Sequence, residues 1–192
     1  THVDYAQRAL EAGKHVLVEK PVAARPGEAA ELFELARKSN KVFSVFQNRR
    51  YDSDFQTVKK VIESGILGEI LSYEAHFDRY KPVLNTKAWK EAPDGTNGIL
   101  YDLGAHLVDQ AIYLFGQPGS FYGEVYTQRA GSEIDDAFNL HIDFGKVKVN
   151  LKSSLLVKDQ GPKYIVHGTL GSFTKYGMDV QEEHLVGGLA YP

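Results

Sequence analysis

The stretch "HVLVEKPVAARPGEAAELFELARKSNKVFSVF", residues 15–46, decides the fold. It opens and closes on short apolar runs, 15–21 and 42–46, too short and too β-branched to be helices. Between them, 26–40 carries helix signals in order. Pro26 comes early, glutamates fill the first turns, and Arg37 and Lys38 stand in the last. Upstream, 2–12 reads as a helix with Val3, Ala6 and Leu10 on one side and Gly13 as its stop. Downstream, 52–65 reads as a third helix, ended by Gly65. Helix, strand, helix, strand, helix is the signature of a parallel α/β sheet.

Past Gly68 the pattern changes. Residues 70–80 alternate, with Leu71, Tyr73, Ala75 and Phe77 on one face. Segments near 120–129, 135–144, 147–156 and 162–168 also read as strands, and Gly145 sits at a tight hairpin. Alternating strands joined by short turns predict a mainly antiparallel sheet, open on one face and covered by helices on the other. The cover is 98–115, where Leu100, Leu103, Leu107, Ala111 and Leu114 recur at helical spacing. Asn97 is its expected N-cap, and Gly116 with Pro118 its stop. A last helix begins near Asp179. The chain thus divides into an α/β segment, 1–46, and an α+β domain, 47–192.

Composition excludes several classes. The chain has 192 residues, 43% hydrophobic and 24% charged, as expected of a globular protein. A net charge of −3 favours neither nucleic acid nor an anionic membrane. No apolar run approaches the roughly 20 residues of a membrane span. The absence of cysteine removes disulfides and thiolate metal sites, no metal site is expected, and a cytoplasmic location fits.

Three places carry chemistry. "VEKP" (18–21) puts Glu19 and Lys20 at the carboxyl end of a parallel strand, where ligands of open α/β sheets bind. Pro21 stiffens the exit and is a candidate for a cis peptide. "FQNRRYD" (46–52) offers Gln47, Asn48 and Arg49 as hydrogen-bonding groups after a second strand. On the helix at 98–115, Asp102, His106, Asp109 and Tyr113 share a face away from the apolar stripe. An imidazole suits removal of an alcohol proton, and an ammonium stabilises the alkoxide that develops. No side chain accepts a hydride, so alcohol oxidation here calls for a nicotinamide.

"EKP" after a strand, followed by "GTNGILYDLGAHLVD", resembles the glucose–fructose oxidoreductase/inositol dehydrogenase (Gfo/Idh/MocA) family. "FQNRRYDSDF", "YDLGAHLVDQ" and "HGTLGSFTKYGMDVQE" are most similar to its scyllo-inositol dehydrogenase branch. The resemblance implies that 1–46 is the C-terminal half of a Rossmann-type sheet. It also implies an NAD- or NADP-dependent oxidoreductase acting on a cyclic polyol or sugar. Lys20 and His106 would act on the substrate hydroxyl and Asp102 would bind it, with Arg49 and Trp89 as further substrate contacts. Thr1, His2, Glu19, Lys20, Pro21 and Asn48 would lie on the cofactor side. The family's G-x-G-x-x-G does not occur in the sequence. The resemblance therefore places roughly seventy residues before Thr1, the size of a Rossmann half, and more after Pro192.

The open face carries Ser72, Glu74, His76, Tyr122, Glu124, Tyr126, Asn139 and His141. Its breadth and tyrosines suggest pairing into a homo-oligomer, which the resemblance also implies. A non-catalytic regulator sensing sugar or dinucleotide on the same fold is the alternative from another class. A glycosidase or dihydrodiol dehydrogenase is a third reading.

Overall fold

The computed structural model describes residues 2–93 and 95–188. The chain forms two compact units, 1–48 and 49–192.

In the first unit, α1 (His2–Glu11) precedes β1 (Val16–Glu19), and α2 (Pro26–Lys38) leads to β2 (Phe43–Phe46). The two strands pair parallel, with Val16 opposite Phe43 and Glu19 opposite Phe46. Pro26 is the first residue of α2, and Glu28 reaches back to accept the Arg25 amide at 3.3 Å. Gly13 takes φ +71° after α1, the left-handed turn that suits glycine. Ala6, Leu10, Val18, Leu32, Ala36 and Phe43 form the core. The other face of the pair stays open, and Leu17 is 66% exposed there.

The second unit opens with a 3-10 turn at Asn48–Tyr51, α3 (Ser53–Glu63) and β3 (Ile70–His76). A π-wound turn, Leu100–Gly104, runs into α4 (Ala105–Phe115). The strands β4 (Ser120–Tyr126), β5 (Ala137–Phe144), β6 (Val147–Ser154), β7 (Pro162–Gly168) and β8 (Ser172–Tyr176) follow, then α5 (Val180–Val186). The strands form one six-stranded sheet in the order β4-β5-β6-β3-β7-β8. Every pairing is antiparallel except β3 with β6. Phe55, Val58, Tyr73, Ala75, Phe77, Leu103, Leu107, Ala111, Phe138 and Ile142 meet in the main core.

Two expectations need correction. Leu71 does not join Tyr73, Ala75 and Phe77; it is 47% exposed. A register shift between Ile70 and Ser72 breaks the alternation, and Ile70 packs on the core instead. The segment from 98 is also not a plain α-helix capped by Asn97. Asp135, from the segment before β5, accepts the Ile99 amide on its carbonyl (3.0 Å) and the Leu100 amide on its carboxylate (2.8 Å). That carboxylate occupies the space of a side chain at Gly98, where a Cβ would lie 2.0 Å from Asp135 Oδ1 at φ +108°. Only glycine fits there. Gly104 is tight by packing alone, with an ordinary helical φ of −62°; a Cβ there would meet Leu100 Cδ1 at 2.8 Å and the Phe138 ring at 3.1 Å.

Candidate active site

The π turn displays the site. Asp102 lies at its centre and is exposed. His106 stands one turn on, in the first turn of α4, and is 6% exposed. Short π segments inside helices occur frequently at functional sites. Here the unusual winding has an identifiable cause in Asp135, Gly98 and Gly104.

Asp109 and Tyr113 belong to a different arrangement. Arg50 donates from Nε and Nη2 to the two Asp109 carboxylate oxygens, at 2.7 and 2.6 Å. Its guanidinium lies 4.6 Å from the centre of the Tyr113 ring. This forked ion pair fastens the 3-10 turn to α4. The residue that continues the line of Asp102 and His106 into the interior is Gln110, which sequence reading missed. Gln110 is buried, donates to the Arg49 carbonyl (2.9 Å) and accepts from the Tyr164 hydroxyl (3.1 Å). Burial pushes the Tyr164 phenol well above its ordinary value, helped by Tyr73 and Asp54, so it remains a hydrogen-bond donor.

Arg49 is held at both ends. Its carbonyl takes Gln110, and its Nη1 donates to Asp52 (3.1 Å) and Glu182 (2.7 Å). Burial opposes the charge on Arg49, but the two carboxylates outweigh it and raise its pKa. Burial raises the Asp52 pKa despite Arg49. The α3 N-terminus is closed by Asp179, which accepts from the Ser53 amide at 3.2 Å and from its hydroxyl. Nearby, the buried Lys163 pairs with the buried Asp54 and lies over the Phe77 and Tyr164 rings at 4.9 and 5.2 Å.

His76, expected on the open face of the sheet, is mostly enclosed. Its ring lies 3.7 Å from both Glu74 and Asp78. It lines a small cleft with Asp78, Gln160, Gly161, Lys163, Gly177 and Met178. Glu74 and Asp78 are close to His76 in sequence, but the residues from 160 onward are distant and leave no local signal by which to find them.

In the first unit, Glu19 ends β1 and is exposed, while Lys20 and Pro21 are partly buried. The Lys20–Pro21 peptide is cis. His2 Nδ1 lies 2.8 Å from the Pro21 carbonyl and so carries the proton it donates. Asn48 is exposed, and Trp89 is 64% exposed in the short turn Ala88–Lys90. Thr1 lies outside the described residues. Among the described residues, no group of three metal-ligating side chains converges, and no helix is long and apolar enough to cross a membrane.

A parallel α/β unit with polar groups at its strand ends, followed in the chain by a mixed-sheet unit displaying an acid and an imidazole, has the parts of a two-part oxidoreductase. Comparison with known proteins agrees. Residues 1–47 match the model of an oxidoreductase family with an NAD-binding Rossmann fold. Residues 55–174 match the GFO/IDH/MocA C-terminal domain. The chain belongs to the GFO/IDH/MocA oxidoreductase family. It is 44% identical over 192 residues to the uncharacterized oxidoreductase YdgJ of Escherichia coli, covering 100% of this chain and 55% of that protein. It is 40% identical over 187 residues to the scyllo-inositol 2-dehydrogenase (NADP(+)) IolW of Bacillus subtilis, covering 97% and 52%. A crystal structure described as that of a probable oxidoreductase, YhhX, superimposes with a TM-score of 0.91 at 46% identity, covering 99% of this chain and 54% of that one. The chain thus spans about half the length of the relatives it matches.

Proposed function

We propose that this chain serves an NAD(P)-dependent oxidoreductase that moves a hydride between a nicotinamide cofactor and a hydroxyl of a cyclic polyol or sugar. The observation that carries the reading is the exposed Asp102 on a fixed π turn, one turn before the buried His106. The polyol substrate named for the Bacillus subtilis relative supports the substrate class.

The residues present fit the cofactor. β1 and β2 end side by side, and at that end Gln47 Oε1 is buried without a hydrogen-bond partner among the described residues. Such an acceptor suits an amide donor. His2, Glu19, Lys20, Pro21 and Asn48 would hold the cofactor, with Thr1 beside them. When bound, the nicotinamide supplies the hydride acceptor that no side chain provides.

The chain's own groups supply the rest. His106 takes the hydroxyl proton as general base. The Lys20 ammonium stabilises the alkoxide that develops on that oxygen. Asp102 accepts a hydrogen bond from a neighbouring hydroxyl and orients the ring. Arg49, with Nη1 given to Asp52 and Glu182, binds substrate through its remaining N–H groups. The open sheet face pairs copies of the chain, and the near-parallel Tyr122 and His141 rings, 6.4 Å apart, give its β4–β5 side an aromatic contact surface.

The test is a steady-state assay with inositols and hexoses, following nicotinamide absorbance. It uses a protein that carries this chain behind a complete dinucleotide-binding segment. Polyol-dependent turnover that collapses in His106→Ala supports the reading. Polyol binding without turnover in every variant supports the regulator.

A further inference from the structure

Residues Asp135 and Asp136 are neighbours in sequence and hold two different things. Asp135 fixes the π turn that carries Asp102. Asp136, fully buried, accepts the Arg129 backbone amide and its Nε, both at 2.9 Å. Arg129 is itself buried and passes the contact on, donating from Nη1 and Nη2 to the two Glu91 oxygens at 3.3 and 3.0 Å. Glu91 also accepts the Asn85 amide at 2.8 Å. The stretch 85–92 is therefore clamped to the connection between β4 and β5. It is clamped from the helix side too, because Asn97 Nδ2 donates to the Trp89 and Ala92 carbonyls at 2.7 and 2.9 Å.

The arrangement is expensive for a surface turn. Burying an arginine between two carboxylates gains little net stability over apolar packing, so such networks are better explained by the geometry they impose. What this one positions is an indole. Trp89 is 64% exposed although Asn97 holds its carbonyl, and the Lys90 ammonium lies 5.4 Å from the centre of its ring. An exposed aromatic plane on a fixed turn offers an apolar face to a ring whose hydroxyls lie around its rim.

We propose that Asp136, Arg129 and Glu91 are positioning residues that hold Trp89, on the turn bonded to Asn97 ahead of the π turn, as a stacking platform for a cyclic polyol or pyranose. The proposal rests on the oxidoreductase reading for its substrate and selects ring-shaped over open-chain polyols. Trp89 is the single tryptophan of the chain, so intrinsic fluorescence reports it directly.

The experiment has two arms. In the chain itself, iodide quenching of Trp89 fluorescence is compared between wild type, Glu91→Gln and Arg129→Met, with circular dichroism verifying the fold. Glu91→Gln leaves the buried Arg129–Asp136 pair intact and so remains informative if Arg129→Met unfolds. Increased quenching in folded Glu91→Gln is expected, and unchanged quenching overturns the clamp. In a protein with a complete dinucleotide-binding segment, Glu91→Gln should raise KM for scyllo-inositol about tenfold, with kcat nearly unchanged, through misplacement of the platform. Glu91→Asp should restore part of the loss. An unchanged KM, or an equal KM rise for sorbitol, overturns the stacking role. Absence of any polyol turnover in wild type sinks the functional reading instead, and the quenching arm still judges the clamp.

Discussion

Each sheet of the chain is covered on one face, yet the bare faces differ in kind. The open face of the six-stranded sheet carries Ser72, Glu74, Asn139 and His141 on its interior strands, a surface that tolerates water. The open face of the β1–β2 pair carries Leu17 and Phe46. Antiparallel sheets commonly leave one side solvated, whereas parallel sheets are normally buried on both. The units differ in the same way in how they hold their chemical groups. Lys20 follows a regular strand end, while Asp102 depends on a π turn fixed by Asp135 from the segment before β5. One unit gains its site from repeated architecture, the other from a local exception.

The sharpest challenge to this contrast is kinetic. In a protein with a complete dinucleotide-binding segment, His106→Ala and Lys20→Ala should each lower turnover by roughly 10²–10⁴-fold. If the two groups serve one hydroxyl, the double variant should lose far less than the product of the single losses. Additive losses would mean that the two units contribute separately. Asp102→Asn should raise KM at least as much as it lowers kcat.

Glycine substitutions test the contrast as stability. Gly98→Ala should destabilise the chain by about 1–3 kcal/mol in urea melts, because it forces an unfavourable φ and drives a methyl into Asp135. Asp135→Ala in the same background should recover part of that loss. Gly27→Ala, in the first turn of α2 with open space around its Cβ position, should be neutral or stabilise by up to about 1 kcal/mol. Equal effects at both glycines would erase the distinction between a regular and an exceptional unit.

Hydrogen exchange should show a gentler difference. Two-stranded sheets are marginal by themselves, so amides of β1 and β2 should exchange faster than those of β3 and β6. Matching protection would show that the smaller unit is stabilised beyond its own six-residue core.

The smallest expected effect is a pH dependence confined to the larger unit. Burial holds the His76 pKa below its ordinary value, with Lys152 adding to this and Asp78 and Glu74 opposing it. The folded state therefore refuses a proton that the unfolded chain accepts. Stability from this group is fully present above the ordinary histidine value. It falls as the pH drops from there toward the lowered value, and His76→Gln should flatten that part of the melting-temperature profile.

Much of this was legible because it is periodic. The helix and strand patterns of 2–46 and the apolar stripe of α4 were plain in the residue spacing, as was the prospect of a cis Pro21. The EKP tripeptide and the Asp102–His106 spacing likewise carried the family resemblance. What stayed hidden is non-local. The helix start is capped by a residue 35 positions away, Lys163 neutralises Asp54 across 109, and Arg129 meets Glu91 across 38. Periodicity reports which face of an element turns inward and nothing of which distant group meets it. The bulge that exposes Leu71 and the strand β8 escaped for the same reason, since pairing decides them.

β4 is exposed along its whole length, and among the described strands it ends the sheet. It is seven residues long, lacks proline and has Glu124 as its only charge, so it carries few of the features that discourage further strand pairing. The colloidal life of the chain is set there. In concentrated stocks the expected route of loss is slow strand addition along this margin, visible as light scattering that grows with storage time. Val125→Lys, placing a charge on the inward side of the strand, is the substitution expected to lengthen shelf life without disturbing the helix that carries the site.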